Sequence, residues 1–178
     1  MKLMIASDLH GSEYYTKLLI DAYRGSGAER LVLLGDLLYH GPRNELPKDY
    51  APKRVIELLN GAADEILCVR GNCDTEVDQM VLNFPIMADY AVMFLDGRMF
   101  YLTHGHRFGA DNFPNVKKGD AIIQGHTHVP MLEERGGVLC VNPGSVSIPK
   151  NGSAHQCMVY ENGEFKTVVL ERQAEGRL

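Results

Sequence analysis

The 178-residue sequence has no tryptophan and only four cysteines, carries no excess of positive charge, and lacks long apolar runs. Each shortage excludes a class of protein. Uninterrupted apolar stretches such as Leu3–Ala6 and Ala91–Leu95 fall far short of the ~18–20 residues that cross a bilayer, so no membrane span is expected. After Met1 come one lysine and four apolar side chains before Ser7-Asp8, without the apolar core or cleavage site of a secretory signal, and the expected location is the cytoplasm. Cys68, Cys73, Cys140 and Cys157 form no C-x-x-C pair and no zinc-ribbon spacing, which argues against a disulfide framework. Three of them lie in apolar runs and read as small buried hydrophobes. With 18 Lys and Arg against 23 Asp and Glu, a formal net charge of −5, the chain has no extended nucleic-acid face, although a small phosphorylated substrate is compatible with that charge. What is present is 45% hydrophobic sequence, enough for one core, and residues 1–178 read as a single domain. The sequence admits a homo-oligomer without specifying one.

The first half alternates β-rich runs with helical patterns. Lys2–Ser7, Arg30–Leu34 and Glu65–Arg70 read as buried strands. Ser12 suits the N-cap of a helix running to about Arg24, stopped by Gly25-Ser26-Gly27; a second helix spans Lys53–Asn60, with Pro52 at its start and Gly61 at its stop. This predicts a parallel β-α-β-α-β core with right-handed crossovers. In the second half, Asp96-Gly97 joins Ala91–Leu95 to Arg98–Thr103 and Asn162-Gly163 joins His155–Glu161 to Glu164–Leu170, both tight-hairpin signatures. Asp120–Gln124 and Val138–Asn142 are further short strands. The expected class is α/β, of the four-layer α+β type: α/β followed by antiparallel β, two packed sheets with helices outside, and a frayed tail after about Glu171.

The chemistry sits where strands end. Lys2–Ser7 is followed by Asp8-Leu9-His10, Leu31–Leu34 by Gly35-Asp36, Ile66–Arg70 by Gly71-Asn72, Met99–Thr103 by His104, and Ala121–Gln124 by Gly125-His126-Thr127-His128. Ligands of open α/β sheets bind beyond the carboxyl ends of strands, so these side chains should converge. Glycine precedes three of the five sets and lets the chain turn sharply. Two Asp, four His and one Asn supply oxygen and imidazole donors suited to Mn²⁺, Fe²⁺, Zn²⁺ and similar ions. Seven donors exceed one open site; with a bridging carboxylate they furnish two, and Asp36, alone at its strand end, is the natural bridge. A lone Asp-x-His or Gly-Asp occurs commonly in turns, and Gly-His-x-His is moderately specific. The five sets in this order carry the argument.

These blocks, with Gly71-Asn72-Cys73-Asp74, resemble the five ordered motifs of the calcineurin-like metallophosphoesterases. Thr103-His104-Gly105-His106 and Asn142-Pro143-Gly144-Ser145 narrow the likeness to the compact bacterial and archaeal branch, and the sequence looks close to the YfcE-type phosphodiesterases. The resemblance implies the metallophosphoesterase fold, a β-sandwich of two mixed sheets flanked by helices. It also implies two divalent ions per chain, manganese first among Fe, Zn, Ni, Co or Mg. One would be held by Asp8, His10, Asp36 and His128, the other by Asp36, Asn72, His104 and His126. A hydroxide bridging the two ions would attack phosphorus, with Asp8, Asp36, Asn72 and His104 as the catalytic ligands. Cys73 stands where much of the wider family has a histidine that assists the leaving group, so diesters with good leaving groups are favoured. Asp74 is expected to orient a ligand imidazole. Arg43 and His106 are the candidate contacts for the small phosphoester substrate. The rival readings are a non-catalytic interaction scaffold of the same fold, a phosphomonoesterase, and a nuclease whose basic track would be Arg43, Lys48, Lys53 and Arg54.

Overall fold

The computed structural model describes residues 1–171, so the tail predicted to fray lies outside the described residues. Strands β1 (Leu3–Ala6), β2 (Arg30–Leu33) and β3 (Ile66–Cys68) are parallel and alternate with helices α1 (Glu13–Ser26) and α2 (Pro52–Asn60), the predicted β-α-β-α-β order. Ser12 caps α1 by accepting a hydrogen bond from the Tyr15 N–H. Gly25 is absorbed into this helix, which stops at Gly27 in a left-handed conformation (φ 70°). Thr16, Leu19, Ile20 and Tyr23 recur at helical spacing and are its buried residues. A single-turn helix, α3 (Glu76–Gln79), follows β3.

The second half contributes β4 (Tyr90–Leu95), β5 (Arg98–Thr103), β6 (Ala121–Ile123), β7 (Met131–Arg135), β8 (Val138–Asn142), β9 (Gln156–Glu161) and β10 (Glu164–Val169). Asp96-Gly97 and Asn162-Gly163 both have positive φ at both positions, as a tight two-residue turn requires. The hairpin β9-β10 returns to the first sheet, giving the order β10-β9-β1-β2-β3. The second sheet runs β4-β5-β6-β8-β7. It is mixed, as the family resemblance implied, and not wholly antiparallel as the hairpin signatures alone suggested, because β5, β6 and β8 are parallel. Strand β7 carries no β signature of its own, being mostly exposed and acidic (Met-Leu-Glu-Glu-Arg); the Gly136-Gly137 pair that turns it into β8 is the signal that marks it.

Alternation along the strands builds two cores. Leu3 and Ile5 of β1, with Val32 and Leu34, face Phe100, Leu102, Ala121, Ile123 and Val141 across the sandwich. Met4 and Ala6 of β1, with Leu31 and Leu33, face the opposite way onto Leu19, Ile20 and Tyr23 of α1 and Val55 and Leu59 of α2. The helices thus cover the first sheet, whereas the outer face of the second packs Ile122 and Cys140 with Ala110 and Val116 from the 105–119 segment. Cys68, Cys140 and Cys157 are buried as expected. Ile5 has no exposure and lies on the central strand, so Ile5→Ala should lower the unfolding free energy by about 2–5 kcal/mol in urea titration. Exposed Lys166→Ala on β10 should stay within about 0.5 kcal/mol.

Candidate metal centre

The loops following β1, β2, β3, β5 and β6 meet at one edge of the sandwich, and they bring together all seven side chains singled out in the sequence. His10 Nε2 lies 3.3 Å from His128 Nε2; His104 Nε2 lies 3.0 Å from Asn72 Oδ1 and 3.2 Å from His126 Nδ1. Asp36 Oδ2 stands 3.7 Å from His10 Nε2 and 3.4 Å from His104 Nε2, and Asp8 Oδ1 is 3.3 Å from His128 Nε2. Donor atoms of Asp8, His10 and His128 lie within 4.8 Å of one another, as do those of Asp8, Asp36 and His104.

The chain bends hard to achieve this. Asp8, His10, Asp36, His126 and His128 all have left-handed backbones, with φ between 46° and 66°, a conformation that costs a non-glycine residue about 1–2 kcal/mol. The glycines beside them serve different ends. Gly35 (φ 94°) does make a turn, but Gly71 and Gly125 are not in the left-handed region; they are glycine for want of room. A Cβ at Gly71 would collide with Asp36, and one at Gly125 with the Ser7 and Asp8 side chains.

Three imidazoles are locked from behind. His10, His104 and His128 each place Nδ1 against a main-chain carbonyl, of Tyr39 (2.7 Å), Leu34 (2.7 Å) and Ile148 (2.6 Å) respectively. A carbonyl only accepts, so Nδ1 carries the proton and each Nε2 is turned inward. Burial works to raise the Asp8 pKa, but the neighbouring His10 and His128 imidazoles and the His104 charge hold it well below the usual carboxylate range. Asp36 is likewise lowered, burial being outweighed by the His104 hydrogen bond and charge. Burial alone would lower His104, yet the Asp36 hydrogen bond and the charges of Asp8 and Asp36 push it up to about 9. Asp8 Oδ1 is buried without a hydrogen-bond partner, and a buried carboxylate oxygen in that condition calls for a cation. Ionised carboxylates, inward imidazole nitrogens and an amide oxygen are the donor set of a first-row divalent ion.

Other residues have roles the sequence did not reveal. Asp74 orients no imidazole; its buried carboxylate accepts from the Asp36 N–H (2.8 Å), the Leu37 N–H (2.9 Å) and the Gly71 N–H (2.7 Å), stapling the β2 and β3 loops together. Arg70 is held structurally by the Asp74 carbonyl. The Asn142–Ser145 segment is a clamp, and none of its residues lines the cleft beside the cluster. Asn142 donates to the Gly125 carbonyl, and the Ser145 and Ser147 hydroxyls donate to the Asp8 carbonyl. Beside the cluster opens a cleft of about 490 Å³ lined by His10, Asp36, Asn72, His126 and His128 together with Arg43, Asn44, Cys73, Thr127 and Lys150. Arg43 is therefore at the cleft. His106 is not among the lining residues and packs beside His104 and His126 at ring separations of 5.4 and 6.2 Å. Lys150 has no motif around it in the sequence; its loop is held against the site by contacts of Ser147 to Asp8, of Ile148 to His128, and of the Lys150 N–H to the His128 carbonyl (3.2 Å).

Two outcomes follow from this geometry. Asp74→Ala strands three buried N–H groups and should lower stability by at least about 2 kcal/mol in denaturant titration, with weaker metal uptake because Asp36 loses its anchor. A divalent ion that takes His104 Nε2 below about pH 9 must displace its proton. Mn²⁺ affinity should therefore climb from pH 7 toward 9 and flatten above it. Calorimetry at pH 7.5 in buffers of different ionisation enthalpy should show release of at least one proton, and none released would contradict the assignment.

Comparison with known proteins agrees with the geometry. Residues 1–164 match the calcineurin-like phosphoesterase superfamily domain. The chain is 48% identical to phosphodiesterase YfcE of Escherichia coli strain K12 over 174 residues, 98% of this chain and 95% of that protein. It is 26% identical to phosphodiesterase MJ0936 of Methanocaldococcus jannaschii, over 96% of this chain and the whole of that one. A solved structure of the E. coli phosphoesterase YfcE superposes with a TM-score of 0.90 at 45% identity, covering 96% of this chain and 100% of the other. Vps29 from Entamoeba histolytica, at 18% identity and a TM-score of 0.62 over 96% and 100% of the two chains, shares the fold. With its strand-end donors gathered at one edge of a two-sheet sandwich and its sequence matched almost throughout, this chain belongs to the calcineurin-like phosphoesterase superfamily.

Proposed function

We propose that this chain is a phosphodiesterase whose cleft holds two divalent cations, manganese foremost. One ion would be held by Asp8, His10, Asp36 and His128, the other by Asp36, Asn72, His104 and His126. The observation that carries the reading is the locking of three imidazoles by main-chain carbonyls so that Nε2 of His10 faces Asp8 and Asp36, that of His104 faces Asp36 and that of His128 faces Asp8. When bound, such a pair of ions supplies Lewis acidity that lowers the pKa of water toward ~7 and neutralises charge on a phosphate. Residues 1–178 act in this reading as one domain, and four unpaired thiols accord with the cytoplasm.

The chain's own residues set the geometry. Asp36 Oδ2 stands between His10 and His104, the position a shared carboxylate needs. Asn72 spends its amide N–H on the Cys73 sulfur (3.2 Å), which turns Oδ1 toward His104. Burial, followed by the Asp36 charge, pushes the Cys73 thiol up to about 12, so near neutrality it is a neutral, weak donor beside the cleft. It brings no positive charge to a departing alkoxide, and hydrolysis depends on leaving groups that depart unaided. The nuclease reading loses its basic track. Arg54 is paired with Glu13 and Glu57, Lys48 sits 3.4 Å over the Tyr14 ring, and of the four basic residues Arg43 alone lines the cleft.

Asp36→Ala in metal-replete protein should cut turnover of an aryl phosphodiester by at least about a hundredfold; substantial residual activity would sink the two-ion assignment. Across diesters whose leaving groups rise in pKa, log kcat should fall steeply, and a flat dependence with chemistry rate-limiting would count against the part given to Cys73.

A further inference from the structure

Resting on the phosphodiesterase reading, we infer that Lys150 and Arg43 form an anion-recognition pair at the mouth of the cleft, selecting phosphodiesters that carry a second anionic group on one arm. Both residues line the cleft, and the sole acidic residue lining it among the described residues, Asp36, belongs to the proposed metal set. His10, Asp36 and His128 on its floor are buried, whereas Arg43 and Lys150 are exposed. They come from separate loops, one after β2 and the other after β8. Among the described residues neither is paired with a carboxylate, although Lys2, Arg54, Arg107, Arg135 and Lys166 are. A chain of net charge −5 thus leaves two cations uncommitted at its metal cleft.

Their backbones are held while their side chains stay free. Gly41-Pro42-Arg43-Asn44 forms a turn in which the Asn44 N–H donates to the Gly41 carbonyl (3.4 Å) and the Asn44 amide to the His40 carbonyl (2.8 Å). Pro42 occupies the position whose φ a proline presets. On the other loop, the Lys150 N–H donates to the His128 carbonyl (3.2 Å), and its carbonyl accepts from the Ser153 N–H (3.1 Å) and hydroxyl (2.7 Å). One cation is therefore tied to the backbone of a proposed metal ligand. A reacting phosphate seated on the floor has its single negative charge met by the ions, so cations at the mouth are left for charge carried elsewhere on the substrate. The Arg43 guanidinium suits a carboxylate or phosphate as a fork, and the Lys150 ammonium as a point charge. A cleft of about 490 Å³ has room for such an arm beside the phosphodiester.

The test uses three 4-nitrophenyl phosphodiesters with a common leaving group, whose second arm is uncharged, ends in a carboxylate, or ends in a phosphate. The Mn²⁺-loaded wild type should favour the charged arms over the uncharged one by about tenfold in kcat/KM. Lys150→Gln and Arg43→Gln should each lower that ratio about three- to tenfold, mainly through KM, and Lys150→Arg should restore most of it. KM for the charged arms should rise more steeply with salt than KM for the uncharged arm. Calorimetric binding of phosphonate analogues of the three diesters should show the same dependence on both residues. Which charged arm is preferred, carboxylate or phosphate, identifies the source of the second anion. Turnover of all three diesters without preference, or an equal loss on all three in the variants, overturns this inference and leaves the phosphodiesterase reading standing. Lys150-dependent binding of the charged analogues with no turnover of any diester overturns that reading and leaves the anion pair standing.

Discussion

Two buried carboxylates, Asp8 and Asp36, at the ends of adjacent parallel strands, set the terms for what surrounds them. Ionised groups out of water are tolerable only with cationic or strongly polarised partners, and the fold supplies these in layers. Imidazole nitrogens face the carboxylates at 3.3–3.7 Å. Behind the imidazoles stand carbonyls of residues 34, 39 and 148. Behind Asp8 stand the Ser145 and Ser147 hydroxyls. Local backbone stability is given up to meet this demand, since five of the donors sit in left-handed conformations that hold only where surrounding contacts over-determine them.

That over-determination explains why so many residues near the site are small or inward-turned polar groups. Gly71 lets the β3 loop lie against Asp36, and Gly125 lets the β6 loop lie against Ser7 and Asp8. Asp74 then ties the β2 and β3 loops through three main-chain N–H groups. The two sheets contribute unequally. The first provides Asp8, His10, Asp36 and Asn72 after its parallel strands, and the second provides His104, His126 and His128 after β5 and β6. The shared core of Leu3, Ile5, Phe100, Leu102 and Ile123 therefore does more than stabilise the fold, because it sets the separation between the two halves of the donor set.

Much of this was legible in the residue order. Strand-end placement of Asp8, His10, Asp36, Asn72, His104, His126 and His128 needs only the short apolar runs bounded by turn residues and the rule that such ends line a crevice. The hairpins at Asp96-Gly97 and Asn162-Gly163 were legible because both turn positions demand positive φ. Three features escaped for one reason, that their cause lies across the fold. The parallel pairing of β5, β6 and β8 depends on which strands become neighbours. Asp74 is a staple because the β2 loop passes over it, and Asn142 to Ser145 is a clamp because Asp8 lies beneath it.

By itself the sequence pointed to candidate oxygen and imidazole donors and to the strand ends that carry them, because side-chain type and local pattern are properties of neighbouring residues. Tertiary structure decided the rest. Which nitrogen of His10, His104 and His128 faces inward depends on a carbonyl 20 to 70 residues away. The glycine positions that matter are those where another loop leaves no space for a Cβ. Lys150 reaches the cleft because its loop is anchored to Asp8 and His128, including by one hydrogen bond to the His128 backbone. Each is a contact between distant segments, and the free energy of such a contact is set by where the packed sheets bring those segments together.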